Sequence, residues 1–190
     1  MTTRNSQLKA ETGNRVDVTI TYLEQTERPV LPQPIRPPRL KIALLRAEHA
    51  PVHFYRYLYR LVGDPYHWVS RRRMDDAQIA EIIHHPDVYL YVLYVDGAPA
   101  GMAEIDEREP EASELKFFGL TPDFTGRGLG CYFFTNILDL AWSHAPKKLR
   151  LETCSLDHPA ALPLYQKSGF TVFDRRQGVV ELMDQPPAPR

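Results

Sequence analysis

The sequence predicts an α/β (α+β) domain in which short strands and amphipathic helices build one core. Two observations predict this class. Apolar and polar residues alternate in 16–22, the period of a half-buried strand, whereas apolar residues recur every three or four positions in 54–62, the period of a helix. The dipeptide Asp96-Gly97, which favours a two-residue hairpin turn, separates two apolar runs. Both kinds of element therefore occur in one chain.

The remaining elements follow from the same periods and from residues that begin or end a helix. Gly63 and Pro65 end the helix that begins after Pro51, and Asp75 or Asp76 caps the next helix. Further strands are predicted at 40–44, 88–94, 97–105, 114–120 and 148–154, helices at 130–142 and 159–168, and a last hairpin from Phe170 with its turn near Gln177-Gly178.

The chain is predicted to form a single domain of residues 16–184. Its 190 residues, 43% of them hydrophobic, are enough for one core. Residues 1–15 and the Pro-rich tail 185–190 are predicted to be disordered. Prolines recur through the connector 29–38 and exclude a helix there, so this connector is predicted to be extended.

The charge balance argues against several classes of partner. With 23 Lys and Arg against 24 Asp and Glu, the net charge is −1, so neither nucleic acid nor a membrane surface is expected as a partner. The two cysteines, Cys131 and Cys154, are too few for a disulfide-stapled fold or a four-thiolate zinc site. The absence of long apolar runs predicts a soluble, cytoplasmic protein.

The most informative motif is Thr-Gly-Arg-Gly-Leu-Gly at 125–130, hereafter the glycine turn. It follows a predicted strand and opens a predicted helix, where backbone N–H groups point outward and attract anions. A P-loop is excluded because Cys131 and Tyr132 follow the last glycine instead of Lys and Ser or Thr. A dinucleotide fingerprint fits poorly, since the third glycine comes one position early. A turn whose glycines serve only packing remains an alternative.

Three segments occur in a recognisable order: Glu-Leu-Lys-Phe-Phe-Gly-Leu-Thr-Pro at 114–122, the glycine turn, and a stretch at 157–170 that ends in Tyr, three residues and Gly-Phe. Over about residues 88–175 this order resembles the GNAT superfamily of acyl-CoA-dependent N-acetyltransferases. The resemblance implies a strongly twisted, mostly antiparallel mixed sheet. It also implies that the sheet splays between the strands at 114–120 and 148–154, where acetyl-CoA would enter as co-substrate.

The resemblance implies that one group of residues holds the coenzyme, with the turn on its diphosphate. These are Phe118, Gly119, Leu120, Thr125, Gly126, Arg127, Gly128, Leu129, Gly130 and His158. Two of them depart from the family pattern. Thr125 stands where the family usually has Gln or Arg, and His158 stands where it usually has Asn; Arg127 is expected to compensate for the first departure.

Acetyl transfer needs a free amine, a donor to the developing oxyanion and a proton for the departing thiolate. By resemblance, Glu114 is the expected base and Tyr165 the expected acid, with Glu104 as a reserve base. The Phe118 N–H is the expected oxyanion donor, because a bulge at 118–120 would free backbone amides and Gly119 would permit the strain. For Glu114 the alternative is a surface strand glutamate, and for Tyr165 an aromatic packing residue.

The sequence says less about the residues that would bind the acceptor. Tyr55, Tyr59 and Trp68, with Tyr66, are candidates for an acceptor pocket, although an aromatic stripe at helical spacing also fits a core. The three arginines 71–73 are predicted to form a solvated face, with a contact to a coenzyme phosphate or an acidic acceptor as the alternative. No metal is expected.

The predicted function is acetyl transfer from acetyl-CoA to a primary amine by direct transfer in a ternary complex. The acceptor class stays open between a small-molecule amine and a peptide amine, and a homodimer is compatible with the sequence. A catalytically silent acyl-CoA-binding or regulatory domain is the main alternative. A nucleotide-dependent oxidoreductase is a weaker one.

Overall fold

The residues that the structure describes form seven strands and four α-helices. A computed structural model describes residues 15–30, 32–33 and 35–182. The strands are β1 (Arg15–Gln25), β2 (Ile42–Arg46), β3 (Val88–Val95), β4 (Ala98–Asp106), β5 (Ser113–Leu120), β6 (Leu149–Cys154) and β7 (Thr171–Glu181). The helices are α1 (Val52–Gly63), α2 (Asp76–Ile83), α3 (Leu129–Ser143) and α4 (Ala161–Lys167).

All seven strands belong to one sheet in the order β2-β3-β4-β5-β6-β1-β7. Every neighbouring pair is antiparallel except β5 and β6, which are parallel. The predicted mixed, mostly antiparallel sheet is therefore confirmed. Asp96 and Gly97 join β3 to β4 with φ angles of 51° and 89°, the left-handed conformations that a tight hairpin turn needs.

The sheet splays at its one parallel pair. Strands β5 and β6 pair only from Ser113 to Leu115, opposite Leu149 to Leu151, and beyond these residues the two backbones diverge. The predicted opening between 114–120 and 148–154 is confirmed, and it leaves a gap in the middle of an otherwise continuous sheet.

Two helices cover each face of the sheet. On one face, α1 and α2 pack on β3 and β4 through buried Tyr55, Leu58 and Val92. On the other face, α3 and α4 pack around Phe133 and Phe134, with β1, β5 and β6 beneath them. Strand β5, at the edge of the gap, contributes to both cores, with Leu115 and Phe118 in one and Phe117 in the other.

The predicted C-terminal hairpin is wrong. Strand β7 runs without a turn from Thr171 to Glu181, and Gly178 pairs with Val18 of β1. Because β1 is as long as β7, it supplies hydrogen-bonding partners along the whole strand, and the missing side chain of Gly178 leaves room for Ile20. Arg15, predicted to be disordered, pairs with Glu181 at the start of β1.

The connector is neither helix nor strand at its described positions 29–30, 32–33 and 35–38. The disorder predicted for 1–14 and 185–190 concerns residues outside the described part of the chain. The longest helix in that part, α3, has 15 residues, and none there combines the length and apolarity of a membrane-crossing segment.

Candidate active site

A cleft of about 480 Å³ opens where β5 and β6 diverge. Its walls come from β5, from β6 and the start of α4, from the glycine turn, and from segment 66–70 behind α1. Predicted site residues that line it are Tyr59, Trp68, Phe118, Gly119, Leu120, Thr125, Gly126, Gly130, His158 and Tyr165. The tertiary structure thus brings the predicted coenzyme and catalytic segments to one place.

The glycine turn presents an uncapped helix start. Gly126 and Gly128 have φ angles of 76° and 75°, and α3 begins directly after Gly128 with no side chain capping its first amides. A Cβ atom placed on Gly126, Gly128 or Gly130 would meet no protein atom within 4 Å. Packing therefore does not explain these glycines, and the free N–H groups and open space suit a phosphate group.

Two side chains of the glycine turn have defined surroundings. The Thr125 hydroxyl donates to the Thr121 carbonyl at 3.2 Å, so it braces the turn. The Arg127 guanidinium lies 5.1 Å from the centre of the Phe124 ring and forms no ion pair among the described residues. Arg127 is exposed and does not line the cleft, so its phosphate contact stays a prediction.

Replacing Gly128 by Val is expected to weaken acetyl-CoA binding at least tenfold, because the added side chain would occupy the space beside the helix start. The left-handed conformation adds a stability cost of about 1 to 3 kcal/mol. Gly97→Val is the matched control, since Gly97 also has positive φ and open space but lies in the β3–β4 turn. Calorimetric titration with acetyl-CoA checks this; equal affinity in both variants would contradict the phosphate site.

Strand β5 aims backbone amides into the cleft. The Ser113 N–H donates to the carbonyl of Lys148, just before β6, at 3.0 Å, whereas the Thr121 N–H donates to the carbonyl of Ala100 in β4, at 2.9 Å. Residues an even number apart in a regular strand point their N–H groups the same way, so one extra residue must intervene. The N–H groups of Phe118 and Leu120 consequently point away from β4, into the cleft.

The extra residue is Lys116, not one of 118–120 as the sequence predicted. Phe117 pairs with Glu104 and Leu115 pairs with Ile105, which leaves Lys116 unmatched. Gly119 serves a different purpose from the predicted one: its φ is not positive, and a Cβ there would lie 2.5 Å from Val62 of α1. It therefore permits close approach of a helix rather than backbone strain.

Tyr165 lies in α4 with its ring between Phe134 and Phe170, at centroid distances of 5.0 and 6.5 Å. The residue is 7% exposed and lines the cleft. No hydrogen bond ties its hydroxyl to any other residue in the described part of the chain. Burial, with a smaller contribution from the Asp157 carboxylate, raises its pKa well above the usual 10.0, so the hydroxyl keeps its proton at neutral pH.

His158 stands just before α4. Its Nδ1 accepts from the Ala160 N–H at 3.1 Å, and its ring meets the edge of Tyr66 at 6.2 Å. The preceding Asp157 accepts from the Thr153 hydroxyl at 2.7 Å and from the Cys154 N–H at 2.8 Å. These contacts give the end of β6 and the start of α4 a defined course along the cleft.

The two predicted bases do not line the cleft. Glu114 forms an ion pair with Lys116 at 2.7 Å and is about one third exposed. Glu104 is completely buried, where it accepts from Arg71 at 2.6 Å and from the Tyr55 hydroxyl. The structure therefore separates Glu104 from the site, which rules out its use as a reserve base.

The Tyr55–Arg71–Glu104 network contradicts two further expectations. Tyr55 is fully buried and does not line an acceptor pocket, and Arg71 is 6% exposed instead of solvated. Burial alone would lower the pKa of Arg71, but the charge of Glu104 outweighs it and raises the pKa. No signal in the sequence singles out Arg71 from Arg72 or Arg73, because only the fold selects which arginine faces β4.

Tyr59 and Trp68 do line the cleft, together with Phe117. The Tyr59 ring lies 5.4 Å from Trp68 and 5.0 Å from Phe117, and the Trp68 and Phe117 rings are 5.1 Å apart. The Tyr59 hydroxyl also accepts from the Arg71 N–H at 3.3 Å. Its buried ring belongs to the core as well as to the cleft wall, so the core interpretation is confirmed and the acceptor pocket stays a prediction.

No cluster of three or more His, Cys, Asp or Glu side chains suited to a metal ion occurs among the described residues.

A mostly antiparallel sheet that splays at its one parallel pair among the described strands, with an uncapped helix start beside the gap, defines the fold class of this protein. The sequence profile of the acetyltransferase (GNAT) family matches residues 55–170. Because this match covers more than half of the chain, the chain belongs to the GNAT acetyltransferase family. The match also includes α1 and α2, which the sequence resemblance did not reach. No curated protein sequence matches the chain.

Solved structures support the same fold. A GCN5-related N-acetyltransferase from Kribbella flavida is 16% identical, covers 90% of this chain and superposes with a TM-score of 0.57. An IAA acetyltransferase from Bacillus cereus is 21% identical over 70% of this chain and 79% of its own, with a TM-score of 0.51. An aminoglycoside acetyltransferase from an uncultured soil sample is 16% identical over 68% of this chain and 87% of its own, with a TM-score of 0.53.

Some structural neighbours are longer. The chain spans 61% of the Kribbella flavida protein and 64% of a Staphylococcus epidermidis protein of unknown function. At these identities, the neighbours establish the fold and leave the acceptor open.

Proposed function

We propose that the chain transfers an acetyl group from acetyl-CoA to an amine by direct attack in a ternary complex. One observation carries this proposal: the uncapped start of α3 and the outward-facing amides of β5 open onto the same cleft. A coenzyme held at its diphosphate by the first feature can extend its pantetheine arm along the second. The GNAT family membership supports the same donor.

The glycine turn supplies the end of the cleft that is proposed to bind the diphosphate. Free N–H groups at a helix start attract an anion through the helix dipole, and Arg127 supplies a nearby positive charge. The Thr125 side chain braces the turn internally, so backbone groups make the contacts that Gln or Arg make at this position in the family pattern.

The other end of the cleft supplies the groups that are proposed to take part in the reaction. The Phe118 N–H is proposed to donate to the oxyanion that develops on the acetyl carbonyl, since β5 directs this N–H into the cleft. Tyr165 is proposed to give its proton to the departing thiolate. Because its raised pKa keeps the hydroxyl protonated, this donor is available throughout the physiological pH range.

Glu114 remains a predicted base, but its carboxylate would not contact the amine directly. Its carboxylate is paired with Lys116, which lines the cleft, but Glu114 itself does not line it, so proton removal by Glu114 would require an intervening water.

Acetyl-CoA is expected to raise the melting temperature of the protein, whereas NAD is expected to leave it unchanged. Ligand binding stabilises the folded state by about 2.7 kcal/mol at a concentration 100 times Kd. Release of free CoA in the presence of an amine panel then distinguishes turnover from silent binding. Stabilisation by acetyl-CoA without CoA release would favour a regulatory domain, and stabilisation by NAD alone would contradict the proposal.

A further inference from the structure

The cleft has two sides that belong to the two faces of the sheet. The Phe118 ring packs against Phe133 and Phe134 of α3, whereas the neighbouring Phe117 ring packs against Tyr59 and Trp68. The glycine turn and Tyr165 stand on the α3–α4 side, which leaves the Phe117 side for the acceptor.

The acceptor side is largely apolar. Three aromatic rings, those of Tyr59, Trp68 and Phe117, form one wall through mutual contacts of 5.0 to 5.4 Å. Aliphatic side chains of β1 and β7 add to the lining: Val18, Ile20 and Val180. Since the same 480 Å³ must also hold the pantetheine arm, the remaining space suits a small acceptor with an apolar body.

One carboxylate that lines the cleft has no side-chain partner among the described residues. Glu152 of β6 is exposed and lines the cleft, and its carboxylate forms no ion pair or side-chain hydrogen bond among the described residues. It lies opposite Tyr22 of β1, which places its side chain on the sheet face away from α3 and α4. By contrast, Asp157 is bonded to the end of β6 and Glu114 is paired with Lys116.

The surroundings of Glu152 suit the binding of a single cation. Burial raises its pKa, Lys116 opposes this effect, and the negative charges of Glu114 and Asp157 add to it. The Glu152 side chain is open to the cleft, and an ammonium group beside it would offset the negative charges of Glu114 and Asp157. One carboxylate without a partner balances one positive charge, whereas a polycation would bring further positive charges towards Lys116, which also lines the cleft, and into an apolar surface.

We propose that the acceptor is a monoamine with an aromatic or similarly apolar body, and that Glu152 receives its ammonium group and removes a proton from it. This inference rests on the proposed function. The resulting lone pair forms the N–C bond to the acetyl carbon as the C–S bond breaks. The thiolate takes the proton of the Tyr165 hydroxyl. A second proton from the amine nitrogen then restores that hydroxyl, so the products are an amide, CoA thiol and the proton that Glu152 removed.

The acceptor class is tested by CoA release at saturating acetyl-CoA with four probes: 2-phenylethylamine, spermidine, kanamycin and a peptide with a free N-terminal Ser. The kcat/KM for 2-phenylethylamine is expected to exceed the other values by about tenfold or more, the range that apolar pockets give. Turnover that favours any other probe would overturn the inference and leave acetyl transfer intact. Binding of acetyl-CoA without turnover of any probe would overturn both.

The role of Glu152 is tested by Glu152→Gln. Its kcat/KM for 2-phenylethylamine is expected to fall about 10²-fold, the lower range for loss of a proton acceptor, with unchanged acetyl-CoA affinity. The acidic limb of the pH profile of kcat is also expected to move, which a purely structural change would not cause. Glu81→Gln on exposed α2 is the control and should match wild type. An unchanged kcat/KM and pH profile in Glu152→Gln would overturn the assignment.

Discussion

Replacing Glu104 by Gln is expected to lower the free energy of unfolding by about 3 to 5 kcal/mol, since it leaves a buried guanidinium without its counter-charge. The Arg71 and Glu104 side chains are 7% and 0% exposed, and their closest atoms are 2.6 Å apart. The Tyr55 hydroxyl also loses its charged acceptor. Urea denaturation followed by circular dichroism measures the change.

The control for this prediction is Glu111→Gln. Glu111 is joined to Lys147 at the same distance, 2.6 Å, but both side chains are mostly exposed, so the free energy of unfolding should not change measurably. A double variant, Arg71→Met with Glu104→Leu, is expected to recover part of the lost stability, because it leaves no uncompensated buried charge although the Tyr55 hydroxyl loses both of its partners. Equal urea midpoints for Glu104→Gln and wild type would show that the pair is not energetically coupled to the fold.

Replacing Tyr165 by Phe is expected to lower kcat about 10²- to 10⁴-fold, because the departing thiolate loses its proton donor. Stability should be largely retained, since the ring keeps its packing on Phe134 and Phe170 and the hydroxyl forms no hydrogen bond within the described structure. Steady-state CoA release measures kcat, and thermal unfolding verifies the fold.

The control for this second prediction is Tyr57→Phe, which removes a hydroxyl from an exposed side chain of α1. Because burial raises the pKa of Tyr165 above its usual 10.0, wild-type kcat should show no decline from loss of this proton between pH 7 and about 10. If kcat of Tyr165→Phe equals that of wild type, the proton reaches sulfur from another source.

Local chemistry made much of this protein predictable from its sequence. The Asp96-Gly97 turn and the glycine turn depend on φ angles that few residues other than Gly and Asn or Asp adopt, so a few neighbouring residues specify each. The periods of α1 and β1 likewise report locally which side of an element is buried. These features sufficed for the fold class, whereas the place of the splay was implied by the resemblance to the GNAT superfamily.

The candidate site was only partly predictable. Tyr165 and the Phe118 amide reach the cleft as expected, but Glu114 does not line it, whereas Glu152, which no motif singles out, does. A shift of one residue along a strand reverses the face and the N–H direction of everything beyond it. The sequence does not reveal such a shift at Lys116, because the bulge depends on how β5 pairs with β4.

The amino-acid sequence alone therefore determined the elements, the fold class and the helix start that suits a phosphate, because each depends on residues close together in the chain. The tertiary structure alone decided that β7 continues past Gly178, that Arg71 is buried against Glu104, and that Glu152 lines the cleft. These outcomes depend on pairing between segments far apart in the chain, where register and burial are set by the partner strand or helix and not by the neighbouring residues.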